Sequence, residues 1–227
     1  VVIEHLRNRP KSTVAEGRTF LFGGSPNLTE LAPGVFAGEL SGIAARETPS
    51  WAGRGRYYPP EDLASLLDWE RKVELLAQDC VGRDIRSISG VPTWLQILFD
   101  RAFDLHGVQD ERLAALFPDL ELLTHGGVNF ALYQERFERL MEGGRAELRE
   151  VYAASEGFIA VADRGPGEGM RLLLDNGVFY EFIEVDKIGE ADAQRHWIND
   201  VKLDTDYAVI VSTCAGLWAY ALGDVIR

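Results

Sequence analysis

The amino-acid sequence predicts an α/β protein: a mostly parallel sheet flanked by helices, running on into antiparallel β-strands. Two observations carry this expectation. Up to Gly157, short apolar runs that end on glycine alternate with segments of helical periodicity, the order that gives parallel strands joined by crossover connections. Beyond Gly157 the helical segments stop, and the apolar runs are parted only by turn residues, the pattern of antiparallel hairpins. The expected organisation is an α/β part over residues 1–157 and a β-rich part over residues 158–227.

The elements follow in order. TFLFGG (19–24) reads as a buried strand entering a loop, with GGSPN as its turn. From Pro60, EDLASLLDWERKVELLAQDC sets Leu63, Leu66, Leu67, Val73, Leu76 and Ala77 at helical spacing and predicts one continuous helix. DIRSISGVP predicts a strand ending at Gly90. PTWLQILFDRAFDLHG has proline in its first turn and glycine after its last, the expected start and stop of a second helix. LELLTHGG is a strand running into glycines, VNFALYQERFERLMEGG a helix with a glycine stop, and ELREVYAASEG a third strand. GFIAVADR, MRLLLD, FYEFIEVD and YAVIVSTCAG are the later β-runs, with RGPGEG and DNG between them as turns.

Composition narrows the function classes. With 227 residues, 46% of them hydrophobic, the chain can bury a sizeable core. The formal charge of −13 repels a phosphate backbone unless a local basic patch overrides it. The nearest candidate, RGRYY (54–58), runs straight into acidic sequence and reads as a solvated loop, so no nucleic-acid partner is expected. No apolar stretch approaches the ~18 uncharged residues of a membrane helix, and VVIEHLRNRPK lacks the plan of a signal peptide. A cytoplasmic address without a membrane partner is therefore the expectation. Cys80 and Cys214 lie far apart with no C-x-x-C spacing, so neither a disulfide framework nor a zinc site is signalled, and both read as core thiols. The start without methionine and the stop at GDVIR read as a cut at both ends.

Ligands of open parallel sheets sit beyond the carboxyl ends of the strands, which directs attention to Gly90, His125–Gly127 and Ala153–Gly157. In THGGV, Gly126 and Gly127 let backbone approach a flat ligand, and the following helix start favours an anion; a tight strand-to-helix turn is the competing reading, with His125 a satisfied polar neighbour. In ASEG, the Ser155 hydroxyl offers a phosphate donor and the Glu156 carboxylate an oxygen ligand for Mg2+, against the alternative that both cap a turn. In LGDV, Gly223 permits a sharp turn after a strand, and Asp224 leaves an acceptor-only carboxylate able to hold a vicinal diol such as ribose. An ordinary Gly-Asp turn competes with that. Trp94, Leu95 and Leu98 of PTWLQILF could wall an apolar substrate pocket, or form the helix's core face.

The order GG, then Y-x-x-S-E, then Y-x-x-G-D resembles the adenylate-forming superfamily. Within it, FPDLELLTHGG, VYAASEGF, FYEFIEV and AGLWAYALGDV look like the auxin-responsive (Gretchen Hagen type) acyl-acid amido synthetases and their bacterial relatives, most strongly from Leu116 to Arg227. The resemblance implies part of the large N-terminal adenylation domain of a ligase that uses ATP and Mg2+ to activate a small carboxylic acid and pass its acyl group to an amino acid. It also implies roles: Gly126 and Gly127 beside the adenine, Tyr152 stacked on it, Ser155 on phosphate, Glu156 on Mg2+ and Asp224 on the ribose. The family's phosphate loop is expected before residue 1 and its small lid domain after residue 227. Plant members carry arginines in the last motif where this chain has Ala219 and Ala221. Two rival readings are a non-catalytic binding or scaffold domain of the same fold, and a hydrolase with HGG as an oxyanion turn. The hydrolase would need an exposed nucleophile beside a histidine, and no G-x-S-x-G elbow is present.

Overall fold

The computed structural model describes residues 1–47, 56–164 and 168–227, so Arg54 and Gly55 of RGRYY and residues 165–167 of RGPGEG lie outside the described residues. Two compact units make up the chain: Val1–Tyr152 with Val161–Arg171, and Ala153–Ala160 with Leu172–Arg227. The division expected at Gly157 thus falls earlier, after Tyr152, and Val161–Arg171 returns to the first unit.

The first unit opens with α1 (Val2–Asn8) and β1 (Arg18–Phe22); a hairpin of β2 (Thr29–Ala32) and β3 (Val35–Ala37) and then α2 (Leu40–Arg46) lead to β4 (Tyr57–Tyr58). The tyrosines of RGRYY are therefore not in a solvated loop. They pair in parallel with Thr19 and Phe20, and the Tyr58 hydroxyl donates to Asp79 at 2.9 Å from a buried ring.

The single helix expected from Pro60 is two helices, α3 (Glu61–Ala64) and α4 (Trp69–Asp79). The leucine spacing continues through the break, but Asp68 accepts the Arg71 N–H at 3.0 Å and caps a new helix, leaving Leu67 82% exposed. The buried Lys72 ammonium donates to the Ala64 carbonyl at 2.8 Å and ties the two helices together.

β5 (Ile85–Gly90), α5 (Pro92–His106), α6 (Leu113–Leu116), β6 (Leu122–Gly126), α7 (Gln134–Met141) and β7 (Glu147–Ala154) follow. Pro92 opens α5 and Gly107, at φ 68°, closes it in the left-handed region, as the sequence requires. The strand order is β4-β1-β5-β6-β7, every pairing parallel. Phe20, Ile88 and Leu123 from the strands pack with Leu76, Leu98 and Phe137 from the helices in one buried cluster. Burial of apolar surface at ~25 cal/mol per Å2 is the main favourable term holding it.

In the chain order after β7 come β8 (Gly157–Val161) and β9 (Arg171–Leu172), the latter all that is strand in MRLLLD. β10 (Val178–Glu184), β11 (Tyr207–Thr213) and β12 (Tyr220–Ile226) form the antiparallel sheet of the second unit, in that order. β11 is buried along Tyr207–Val211, with Val211 opposite Tyr180 and Val209 opposite Phe182. Cys80 is the core thiol expected, and burial pushes its pKa up to about 12. Cys214 is not: it lies just past β11, where its N–H bonds the Gly177 carbonyl at 3.2 Å, and it is exposed.

Candidate functional site

The parallel register of the first unit lines up the strand exits. Phe22 pairs with Gly90, Gly90 with His125, His125 with Glu150, and Gly126 with Val151. Both glycines of THGG are required, for different reasons. A Cβ on Gly126 would lie 2.2 Å from the Val151 carbonyl oxygen, whereas one on Gly127 would meet only Val91 at 3.9 Å but the residue adopts φ +84°. The result is a strip of bare backbone one residue before Tyr152, itself half-buried on β7.

His125 is not the satisfied polar neighbour expected. It is 2% exposed and stacked on Phe130 with ring centroids 3.7 Å apart, and its Nδ1 has no hydrogen-bond partner. Burial lowers its pKa to about 4, so it is a neutral aromatic wall at physiological pH. A ring this weakly basic, with its Nδ1 bonded to no hydroxyl or thiol, lends no support to the rival hydrolase, and the Cys80 thiol stays protonated.

The helix expected directly after Gly127 starts later. Asn129 accepts the Ala131 N–H at 3.0 Å and caps a 3-10 turn over Phe130–Leu132, and α7 begins only at Gln134. One amide that could have faced an anion is therefore already bonded. The longer α5 begins immediately after the β5 exit and presents a helix amino end there.

Leu95 and Leu98 are fully buried on the core face of α5. Trp94 is half-buried and belongs to an aromatic cluster, 5.0 Å from Trp69 and 6.2 Å from Phe22. Beside it, the Thr93 hydroxyl lies 2.8 Å from the Tyr133 hydroxyl, an exposed polar pair that the sequence reading missed. The available signal was a hydroxyl residue in the first turn of a helix that follows a glycine strand exit.

In the second unit, Ser155 and Glu156 form the turn that leads into β8. Ser155 is exposed and Glu156 half-buried, and among the described residues the Glu156 carboxylate has no hydrogen-bond or ion-pair partner. No group of three or more His, Cys, Asp or Glu side chains poised for a metal occurs among the described residues. A lone unengaged carboxylate nevertheless suits Mg2+, which takes one or two protein oxygens and completes its shell with phosphate and water.

Gly223 does not turn the chain after a strand. It lies inside β12 at φ +87°, within a bulge: between the pairs Ala208–Val225 and Ile210–Ala221, β11 advances by Val209 alone while β12 advances by Leu222, Gly223 and Asp224. The bulge holds Asp224 on an exposed stretch of the strand. Gly126, Gly127 and Tyr152 thus belong to the first unit, and Ser155, Glu156 and Asp224 to the second.

A parallel α/β unit followed along the chain by an antiparallel β-unit is a fold shared with solved ligase structures. Superposition on a GH3.15 acyl acid amido synthetase gives a TM-score of 0.72 at 17% identity over 98% of this chain and 48% of that one. A 2-hydroxyisobutyryl-CoA ligase in complex with 2-HIB-AMP and CoA gives 0.57 at 14% identity, over 92% and 43%. Residues 171–227 match the GH3 family central domain. The indole-3-acetic acid-amido synthetase GH3.8 of Oryza sativa subsp. indica is 31% identical over 91 residues, 37% of this chain and 15% of the relative. A probable synthetase of the same kind, GH3.9 of Oryza sativa subsp. japonica, is 32% identical over 92 residues, 37% of this chain and 20% of the relative. The chain spans a fifth or less of those plant relatives and just under half of the solved structures.

Proposed function

We propose that this chain is the core of the adenylation domain of an ATP-dependent acyl-acid amido synthetase. The reading rests most on the bare backbone at Gly126–Gly127 followed along the chain by Tyr152, Ser155 and Glu156, together with the family match that contains Asp224. The reaction joins a carboxylic acid to the amine of an amino acid. A carboxylate oxygen forms a bond to the α-phosphorus of ATP as the bond to pyrophosphate breaks; the amine then attacks the acyl carbon and AMP leaves.

Gly126 and Gly127 border the adenine and the Tyr152 ring stacks on it. The Ser155 hydroxyl donates to a phosphate oxygen, and Asp224 accepts from the ribose hydroxyls. Glu156 would hold Mg2+, which when bound neutralises charge on the phosphate oxygens. Trp94, like Trp69 a partly exposed member of its cluster, is the wall offered to the acid. No protein nucleophile is needed. No helix among the described residues is long and apolar enough to cross a membrane, and a cytoplasmic setting, where ATP and amino acids are present, completes the proposal.

Carboxylate-dependent exchange of pyrophosphate into ATP by the protein that carries this chain tests the reading. Glu156→Gln should keep the fold and lose the exchange, because a neutral amide oxygen is a poorer ligand for a hard dication. Undiminished exchange removes Glu156 from the mechanism.

A further inference from the structure

A cavity of about 490 Å3 lies at the other end of the first unit's sheet, between α1 with the residues after it and two carboxylates, Glu121 just before β6 and Glu147 at the start of β7. Its volume falls within the usual range for small-molecule pockets. Three cations line it: Arg9, Lys11 and Arg145. Arg9 bonds Glu147 at 2.6 Å, and Arg145 bonds Asp119 at 3.0 Å and lies 3.4 Å from Glu121. Lys11 has no hydrogen-bond or ion-pair partner among the described residues.

The two wall carboxylates are already engaged. Glu121 accepts from the Ser12 hydroxyl, from the Thr13 hydroxyl at 2.5 Å and from the Thr13 N–H at 3.2 Å, and Glu147 is held by Arg9 and Arg149. Neither needs Lys11.

His5 supplies a second, independent sign. Its side chain is 3% exposed and lines the cavity. Ser12 gives its proton to Glu121, so its oxygen accepts from His5 Nε2 at 3.1 Å, and in the neutral ring Nδ1 is left as an acceptor. That Nδ1 is buried without a hydrogen-bond partner, 3.6 Å from another acceptor, Glu147 Oε2. Buried polar atoms rarely go unpaired without cause.

We propose that this cavity binds a small oxyanion-bearing molecule, carboxylate or phosphate in kind, with Lys11 and Arg145 supplying the charge and His5 a contact made only when its ring is protonated. The site is separate from the strand-exit site and does not depend on the proposed nucleotide chemistry. Burial is the largest influence lowering the His5 pKa, aided by Arg149 and Arg9 and opposed by Glu147 and Glu121. An anion in the cavity adds to the carboxylates' side, so Nδ1 gains a proton and donates it. Binding should therefore tighten as pH falls through the range in which histidine titrates, about pH 8 to 5.

The test is titration of the protein with citrate and, separately, with inorganic phosphate at fixed ionic strength, read from the His5 imidazole resonances by NMR. A saturable shift with one or both probes, tighter at the acid end, is expected; which probe binds more tightly tells carboxylate from phosphate. Lys11→Gln, an exposed change that leaves the core untouched, should weaken binding about tenfold, the value of one charge-assisted contact. His5→Gln should still bind but with little pH dependence, followed by the Ser12 resonances. No saturable shift from either probe, or equal binding by Lys11→Gln and wild type, overturns the proposal.

Discussion

Gly126 and Val151 stand opposite each other at the exits of β6 and β7, so close that a methyl group on Gly126 would sit 2.2 Å from the Val151 carbonyl oxygen. The strand pair is held at this separation by its parallel hydrogen bonds, and there is no room for the smallest side chain. Gly126→Ala should therefore destabilise the chain by about 1–3 kcal/mol, the usual cost of overpacking, and part the strands just before Tyr152. Gly127→Ala meets no such wall but must hold φ +84°, at a cost of about 1–2 kcal/mol. Urea unfolding of the two variants measures both losses, and wild-type stability in Gly126→Ala would show that the strands part easily.

His125 makes stability depend on pH. Its folded pKa, about 4, lies below the ordinary 6.5, so the unfolded chain takes up a proton more readily. Its contribution is complete above pH 6.5 and is lost as pH falls from 6.5 to 4, amounting to up to about 3 kcal/mol. His5 shifts in the same direction, so His125→Phe is needed to isolate the effect of one ring. The difference in unfolding free energy between neutral pH and the acid end should shrink in that variant; an unchanged difference would place the pH dependence elsewhere.

Leu98 and Trp94 should separate core from pocket. Leu98→Ala empties a fully buried position and should cost about 2–5 kcal/mol without changing which acid is activated. Trp94→Ala removes a half-buried ring and should alter acid preference in the exchange assay while the protein stays folded. Loss of stability alone in Trp94→Ala would return it to the core with Leu98.

The sequence showed most of the parallel unit because its punctuation is local: Pro92 and Gly107 bound α5, and glycines end β5 and β6. The break between α3 and α4 escaped because Leu66 and Leu67 continue the apolar spacing, and only Asp68 as a cap marks the restart. Gly223 was read as a turn because a bulge and a turn both call for a positive φ, and only the register with β11 distinguishes them. Of the candidate residues, the glycine pair was legible from its spacing alone. The unpaired Nδ1 of His125 was not, since it depends on Phe130 folding back over the ring. The cavity around His5 was invisible for a related reason: its carboxylates come from Glu121 and Glu147, more than a hundred residues along the chain.

The central claim is that this chain binds an adenosine nucleotide. Its most direct test is the affinity of this chain for AMP by isothermal titration calorimetry, in wild type, Tyr152→Ala and Asp224→Asn, with folding checked by circular dichroism. Loss of the stacked ring or of the ribose acceptor should each weaken AMP about tenfold or more while the fold persists, as expected for one hydrogen-bonded or stacking contact of 1–3 kcal/mol. Binding of AMP that neither substitution changes, or no binding by the folded wild-type chain, would contradict the account.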